Sequence, residues 1–158
     1  MDFELRKTSS DSLETAYTLT RELMEHHNAL SIFTMTVHRM GELIESGLLH
    51  SYIVYSGEEA VGVMNFFFKL TTFTGRKILY IEDFYARKEV RGKGTGTFML
   101  DKVKEFAAEN DCEQIELKCA LWNTPSAGFY EAKGLTADNS WVTYTMDRIH
   151  FCNTEGSV

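Results

Sequence analysis

One stretch constrains this chain more than any other: Ile78 to Leu100, ILYIEDFYARKEVRGKGTGTFML. An apolar run carrying Glu82 and Asp83 gives way to a charged loop, then to Arg91-Gly92-Lys93-Gly94-Thr95-Gly96, then to apolar residues at helical spacing. That order reads as strand, glycine loop, helix. Glycines let a backbone come close to a ligand, and the first turn of a helix leaves its N–H groups unpaired under the positive end of the dipole, so such a junction favours an anion. Arg91 and Lys93 add positive charge there. A glycine-rich surface turn has the same local composition, so the flanking chain has to decide between the two.

Before the loop, Phe3 to Arg6 alternates like a first strand. Asp11 and Glu14 resemble a capping box opening a helix that ends near Asn28, and a second helix is predicted from about Thr36, with Gly47 beyond its end. Leu49 to Tyr55 and Ala60 to Leu70 read as a hairpin turning at Ser56-Gly57-Glu58-Glu59, and Thr71 to Lys77 turns into the strand Ile78 to Tyr85. The glycine loop thus follows three successive antiparallel strands. After it come a helix closing at Asn110-Asp111 and an alternating strand, Gln114 to Cys119. Thr124 as N-cap and Pro125 at the first helical position open another helix, which Gly134 ends and along one side of which lie Ser126, Phe129, Tyr130 and Lys133. Trp141 to Met146 reads as a last alternating strand and His150 to Val158 as a polar tail.

A P-loop would need Lys and then Ser or Thr after its last glycine, whereas Thr97-Phe98 follows Gly96. A dinucleotide fingerprint would need a third glycine at Thr97 and a parallel sheet before the loop, and neither is present. The 158 residues predict one domain, 1–149, with a short tail, 150–158. Charged residues at 25% and hydrophobic ones at 44% are those of a folded domain, and a net charge of -7 weighs against nucleic acid as a partner while suiting a cationic one. With no apolar leader and no apolar run long enough to span a membrane, a cytoplasmic chain without membrane contact is expected. Cys112, Cys119 and Cys152 lack CxxC spacing, and the adjacent His26 and His27 do not fall at ligand spacing on a helix face, so no metal is expected.

Arg91-Gly92-Lys93-Gly94-Thr95-Gly96 resembles the Q/R-x-x-G-x-G/A loop of the GNAT superfamily of N-acetyltransferases, which grips the pyrophosphate of acetyl-coenzyme A. Within it, Tyr80-Ile81-Glu82-Asp83-Phe84-Tyr85 and Trp122-Asn123-Thr124-Pro125-Ser126, with Phe129-Tyr130 after it, look like the diamine (spermidine/spermine) acetyltransferases. The resemblance implies an α/β (α+β) GNAT fold with a mixed central sheet of six to seven strands flanked by about four helices. It also implies roles. Backbone groups of Arg91, Gly92, Lys93, Gly94, Thr95, Gly96 and Thr97 would hold the pyrophosphate, Phe84, Tyr85 and Ala86 would run beside the pantetheine arm, and Asn123, Ser126 and Lys133 would complete the cofactor site. Tyr130 falls where the family has its general acid.

A protonated amine must lose a proton before it can attack a thioester, and Glu82, on the strand before the loop, is the candidate base. The positions at which polyamine enzymes use carboxylates correspond here to His26 and His27 and to Leu70-Thr71-Thr72-Phe73, so the expected acids are missing. Glu82, Asp83, Glu116 and Trp141 remain to receive an ammonium group and pack an alkyl chain. The reading is transfer of acetyl from acetyl-coenzyme A to a primary amine of a small molecule, diamine-like or thialysine-like, by a homodimer. A protein or peptide amine, or non-catalytic binding of acetyl-coenzyme A, are the alternatives.

Overall fold

Each apolar run pairs with the one before it. In the computed structural model, which describes residues 2–151, β1 (Phe3–Lys7), β2 (His50–Ser56), β3 (Glu59–Leu70) and β4 (Lys77–Ala86) pair antiparallel in succession. β5 (Cys112–Leu117) joins β4 in parallel, giving the order β1-β2-β3-β4-β5. The described residues divide into two units, one up to Lys118 that contains this whole sheet, and one from Cys119.

Helices cover both faces of the sheet, which is why Val61 to Phe66 is buried without a break. On one face lie α1 (Leu13–His26) and α2 (Val37–Glu45), whose Ala16, Leu19 and Met40 pack with Ile53 of β2 and Val63 of β3. On the other lies α3 (Thr95–Glu109), whose Phe106 ring stands 4.7 Å from that of Tyr52 and 5.4 Å from that of Phe66. Local signals set the ends. Thr36 accepts the Arg39 N–H at 3.1 Å to open α2, and Gly57-Glu58 is the two-residue turn between β2 and β3. The box before α1 differs from the expected one: Ser9 N–H donates to Ser12 Oγ at 2.9 Å, so the chain is turned two residues earlier than Asp11 and Glu14 predict. Among the described residues no helix is long and apolar enough to cross a membrane.

The second unit holds α4 (Thr124–Ala132) and a single 3-10 turn, Arg148–His150. The strand expected over Trp141 to Met146 does not form; residues 141–147 have no regular structure, and Tyr144 is 93% exposed. Alternation makes a segment fit to be a strand but does not supply the neighbouring edge on which a strand depends. The sheet therefore has five strands among the described residues where six to seven were expected, while the four α-helices match. Cys152 and most of the expected polar tail lie outside the described residues.

Candidate active site

The site begins at an irregularity in β4. Phe66 of β3 pairs with Ile81, and Asn65, the next residue, pairs with Asp83, so Glu82 is the extra residue of a β-bulge. A bulge reverses which face the following side chains take. Leu79 and Ile81 share the α3 face with Phe68 and Phe66, whereas Asp83 and Tyr85 share the α1 face with Asn65 and Val63. β4 and β5 stay paired only as far as Ile81 and Leu117, while β4 runs on to Ala86. Beyond the fork the outer edge of residues 82–86 has no strand neighbour among the described residues, and exposed Glu82 stands at its start.

Asp83 is buried, 7% exposed, beneath α1. Asn65 Nδ2 donates to Asp83 Oδ2 at 2.8 Å and to Thr20 Oγ1 of α1 at 3.0 Å, while the Thr20 hydroxyl donates back to the Ala16 carbonyl. Burial raises the Asp83 carboxyl to about 6 against the partial relief of the Asn65 bond, with neighbouring Glu82 pushing the same way as burial. Asn65 Oδ1, buried in the same cluster, has no hydrogen-bond partner among the described residues.

One residue before the Leu70 to Phe73 turn where substrate contacts were expected, the α1 face of β3 carries a half-exposed ion pair. Lys69 Nζ lies 2.5 Å from Glu116 Oε2 of β5 and 5.1 Å from the centre of the Tyr80 ring, which packs on Phe67 at 5.0 Å. Glu116 and Tyr80 are register partners. Burial raises the Tyr80 hydroxyl, and Glu82 and Glu116 raise it further, so these two carboxylates bear on one phenol. The sequence-predicted Glu82 and Glu116 thus both bear on Tyr80, while Asp83 is held by Asn65 on the same face of the sheet, and Glu116 meets a lysine rather than standing open to an ammonium.

At the far end of the open edge the glycine loop enters α3. Gly94 is its N-cap with φ of 90°, a conformation an L side chain rarely adopts, and no side chain caps the helix. The first bond within the helix, Phe98 N–H to the Gly94 carbonyl, leaves the N–H groups of Thr95, Gly96 and Thr97 without helical acceptors. Thr95 Oγ1 donates to the Val90 carbonyl at 2.7 Å and Arg91 Nε to the Ala86 carbonyl at 2.8 Å, tying the loop to the strand end. Arg87 braces it from the α1 side: its Nε and Nη2 donate to Glu22 at 2.9 and 2.6 Å, and Nη1 to the Ala60 carbonyl at 2.9 Å. That guanidinium holds the Glu22 carboxyl below its usual range. His26 falls beside this loop, within reach of the charges of Arg91 and Lys88. Burial lowers its imidazole, and the charges of Arg91, His27 and Lys88 add to the effect. An uncapped, glycine-led N-terminus flanked by Arg91 and Lys93 fits a pyrophosphate.

In the second unit Asn123, not Thr124, caps α4: its side chain accepts the Ser126 N–H at 3.3 Å, and Thr124 and Pro125 fill the first helical positions. A side chain of asparagine makes the stronger cap, which moves the helix start back by one. The helix ends in a Schellman motif, with Leu135 N–H on the Tyr130 carbonyl, Gly134 N–H on the Glu131 carbonyl and Gly134 at φ of 90°. This fixes the backbone at Tyr130. Burial pushes the Tyr130 hydroxyl up to about 12, with the Cys119 sulfur adding to it, and the Phe129 ring stands 5.4 Å away. Lys133 is half-buried at the helix C-cap, and Trp141 lies exposed in the irregular segment.

Sequence reasoning missed Asn65, Thr20, Lys69, Tyr80 and the Glu22–Arg87 brace. Asn65 left a signal, as a polar residue inside the apolar run Val61 to Phe68. Among the described residues no cluster of His, Cys, Asp and Glu is suited to a metal ion.

Comparison with known proteins gives the same picture. The model of the acetyltransferase (GNAT) family matches residues 13–135. A thialysine N-epsilon-acetyltransferase of Caenorhabditis elegans is 27% identical over 149 residues, covering 92% of each chain. A human spermidine/spermine N(1)-acetyltransferase-like protein 1 is 25% identical over 92% of this chain but only 23% of its own, and the Bos taurus thialysine enzyme is 36% identical over 58% of this chain and 55% of its own. Among solved structures, an aminoglycoside acetyltransferase from an uncultured soil metagenomic sample superposes with a TM-score of 0.77 at 20% identity, over 93% of this chain and 100% of that one. AAC(6')-Iy in complex with the bisubstrate analogue CoA-S-monomethyl-acetylneamine does so with a TM-score of 0.76 at 16% identity, over 93% and 99%. The uncapped, glycine-led helix N-terminus after a forked strand suits the family that matches most of the chain: this protein belongs to the GNAT family and is an acetyl-coenzyme A-dependent N-acetyltransferase.

Proposed function

We propose that the chain transfers acetyl from acetyl-coenzyme A to a primary amine of a small molecule, diamine-like or thialysine-like, by direct attack in a ternary complex. The observation that carries this reading is the fork at Ile81 and Leu117, where the open edge of β4 has carboxylates at its start and an uncapped helix N-terminus at its end. The names of the relatives supply the acceptor class. In this reading the N–H groups from Gly92 to Thr97 hold the pyrophosphate, Arg91 and Lys93 add charge, Phe84, Tyr85 and Ala86 flank the pantetheine arm, and Asn123, Ser126 and Lys133 complete the cofactor site. A homodimer belongs to the same reading, and the exposed Val142, Tyr144 and Met146 suit a surface covered by a second copy.

When bound, acetyl-coenzyme A supplies a thioester whose carbonyl carbon bonds to the amine nitrogen as its carbon–sulfur bond breaks. Glu82 takes the first proton from the ammonium, directly or through water, and so frees the lone pair. Backbone N–H groups on the open edge of β4 face the oxygen on which negative charge develops. The Tyr130 hydroxyl, which burial keeps protonated throughout the neutral range, passes its proton to the departing sulfur and recovers one from the nitrogen, so the phenol is unchanged over a turnover.

The test is a panel of diamines, polyamines, basic amino acids and peptides, scored by thiol release. Small primary amines are expected to react; turnover confined to peptides refutes the small-amine acceptor.

A further inference from the structure

Lys69 is an unusual residue to find where an enzyme receives a cation. Its ammonium already occupies Glu116, over the face of Tyr80, and the two side chains remain 42% and 30% exposed. Both belong to the α1 face of the sheet, since Lys69, Phe67 and Asn65 alternate along β3, Asn65 touches Thr20, and Glu116 pairs with Tyr80. The bulge at Glu82 brings Asp83 onto that same face. From Tyr80 to Glu82 and Asp83 is two to three strand residues, about 7–10 Å. The pair carries no net charge, so a dication entering there would set one ammonium against Lys69 and would have to displace it to reach Glu116. A zwitterion meets no such conflict, because it trades one ion pair for two.

We propose that Lys69 and Glu116, seated on Tyr80, read the α-carboxylate and α-ammonium of a basic α-amino acid, whose side-chain amine then reaches Glu82 and Asp83 at the fork. The α-carbon and terminal nitrogen of a lysine-like acceptor stand about 6 Å apart when extended, five single bonds, which with the reach of the Lys69 and Glu116 side chains spans this part of the sheet. The α-carboxylate accepts hydrogen bonds from Lys69 Nζ, and the α-ammonium donates to Glu116 Oε2. The Phe67 and Tyr80 rings form the apolar floor for the methylenes. The acetyl group goes to the side-chain nitrogen: its bond to carbon forms as the carbon–sulfur bond of the thioester breaks, one proton leaves to Glu82 and one reaches the sulfur. This inference rests on the small-amine reading above and names its acceptor.

The experiment compares L-lysine with cadaverine and L-ornithine with putrescine, pairs that differ only in the α-carboxylate, by thiol release with the wild-type chain, Lys69→Met and Lys69→Arg. The wild type should favour each amino acid over its diamine. Lys69→Met should lower kcat/KM for lysine about tenfold, mainly through KM, the size of one charge-assisted bond at a part-exposed site. It should raise kcat/KM for cadaverine, and Lys69→Arg should restore the preference. A merely structural ion pair would shift the melting temperature of Lys69→Met and leave the lysine-to-cadaverine ratio where it was; that result, or a wild-type preference for the diamines, overturns the proposal. Turnover of diamines with no gain from the carboxylate refutes this inference alone, whereas turnover of peptides only refutes the small-amine reading and this inference with it.

Discussion

Replacing Asp83 by asparagine should stabilise the protein at neutral pH and leave it unchanged in acid. In the folded chain the carboxyl is raised from 3.8 to about 6, principally by burial under α1. The folded state therefore holds a proton between those values that the unfolded chain has given up, and stability falls as pH rises through that window. At about 1.4 kcal/mol per pKa unit, the two-unit rise corresponds to about 3 kcal/mol lost by pH 7 relative to acid. An amide at 83 keeps an oxygen for Asn65 Nδ2, needs no desolvated charge, and carries hydrogens for the unpartnered Asn65 Oδ1. Urea unfolding followed by circular dichroism from pH 3.5 to 8 would measure the difference between Asp83→Asn and wild type. The difference is the quantity to read, because Glu22, held low by Arg87, tilts both curves in the opposite direction. It should be near zero at the acid end and grow to about 3 kcal/mol by pH 7.5, a rise in Tm of roughly 6–12 °C for a chain of this length. A difference that is constant across the range, or a variant less stable than wild type at pH 7.5, refutes the argument. The same substitution should raise KM for the amine, so that stability and acceptor binding move in opposite senses at one position.

Two substitutions test the proton transfers. Tyr130→Phe should lower kcat about 100-fold while acetyl-coenzyme A still raises the melting temperature as it does in wild type; unchanged turnover removes the hydroxyl from the reaction. Glu82→Gln should lower kcat/KM about 100-fold at pH 7.5 and displace the pH–rate profile to higher pH, because the ammonium then loses its proton only to solvent. A profile that keeps its wild-type position excludes Glu82 as the base.

What could be read from the residues was whatever depends on neighbours along the chain. The hairpin at Gly57-Glu58, the cap at Thr36, the glycine entry to α3 and the stop at Gly134 are set by a few adjacent residues, and they stand within a residue or two of where the pattern puts them. Trp141 to Met146 has equally good alternation and forms no strand, because its pairing depends on an edge elsewhere. The bulge fails to announce itself for a related reason. Ile81, Glu82 and Asp83 look like ordinary alternation, and only the register against Phe66 and Asn65 makes Glu82 supernumerary. Yet the bulge decides the chemistry of the face. Without it Asp83 would follow Ile81 toward α3; with it Asp83 meets Asn65 and Thr20 beneath α1, on the face that carries Tyr80 and Lys69. Lys69 and Glu116 are separated by 47 residues and meet through two successive strand pairings, β3 with β4 and β4 with β5. A one-residue slip in either ladder would carry one of them to the opposite face, so their contact depends on the same register that creates the bulge, and selection among amines at Lys69 is coupled to the position of the carboxylates at the fork.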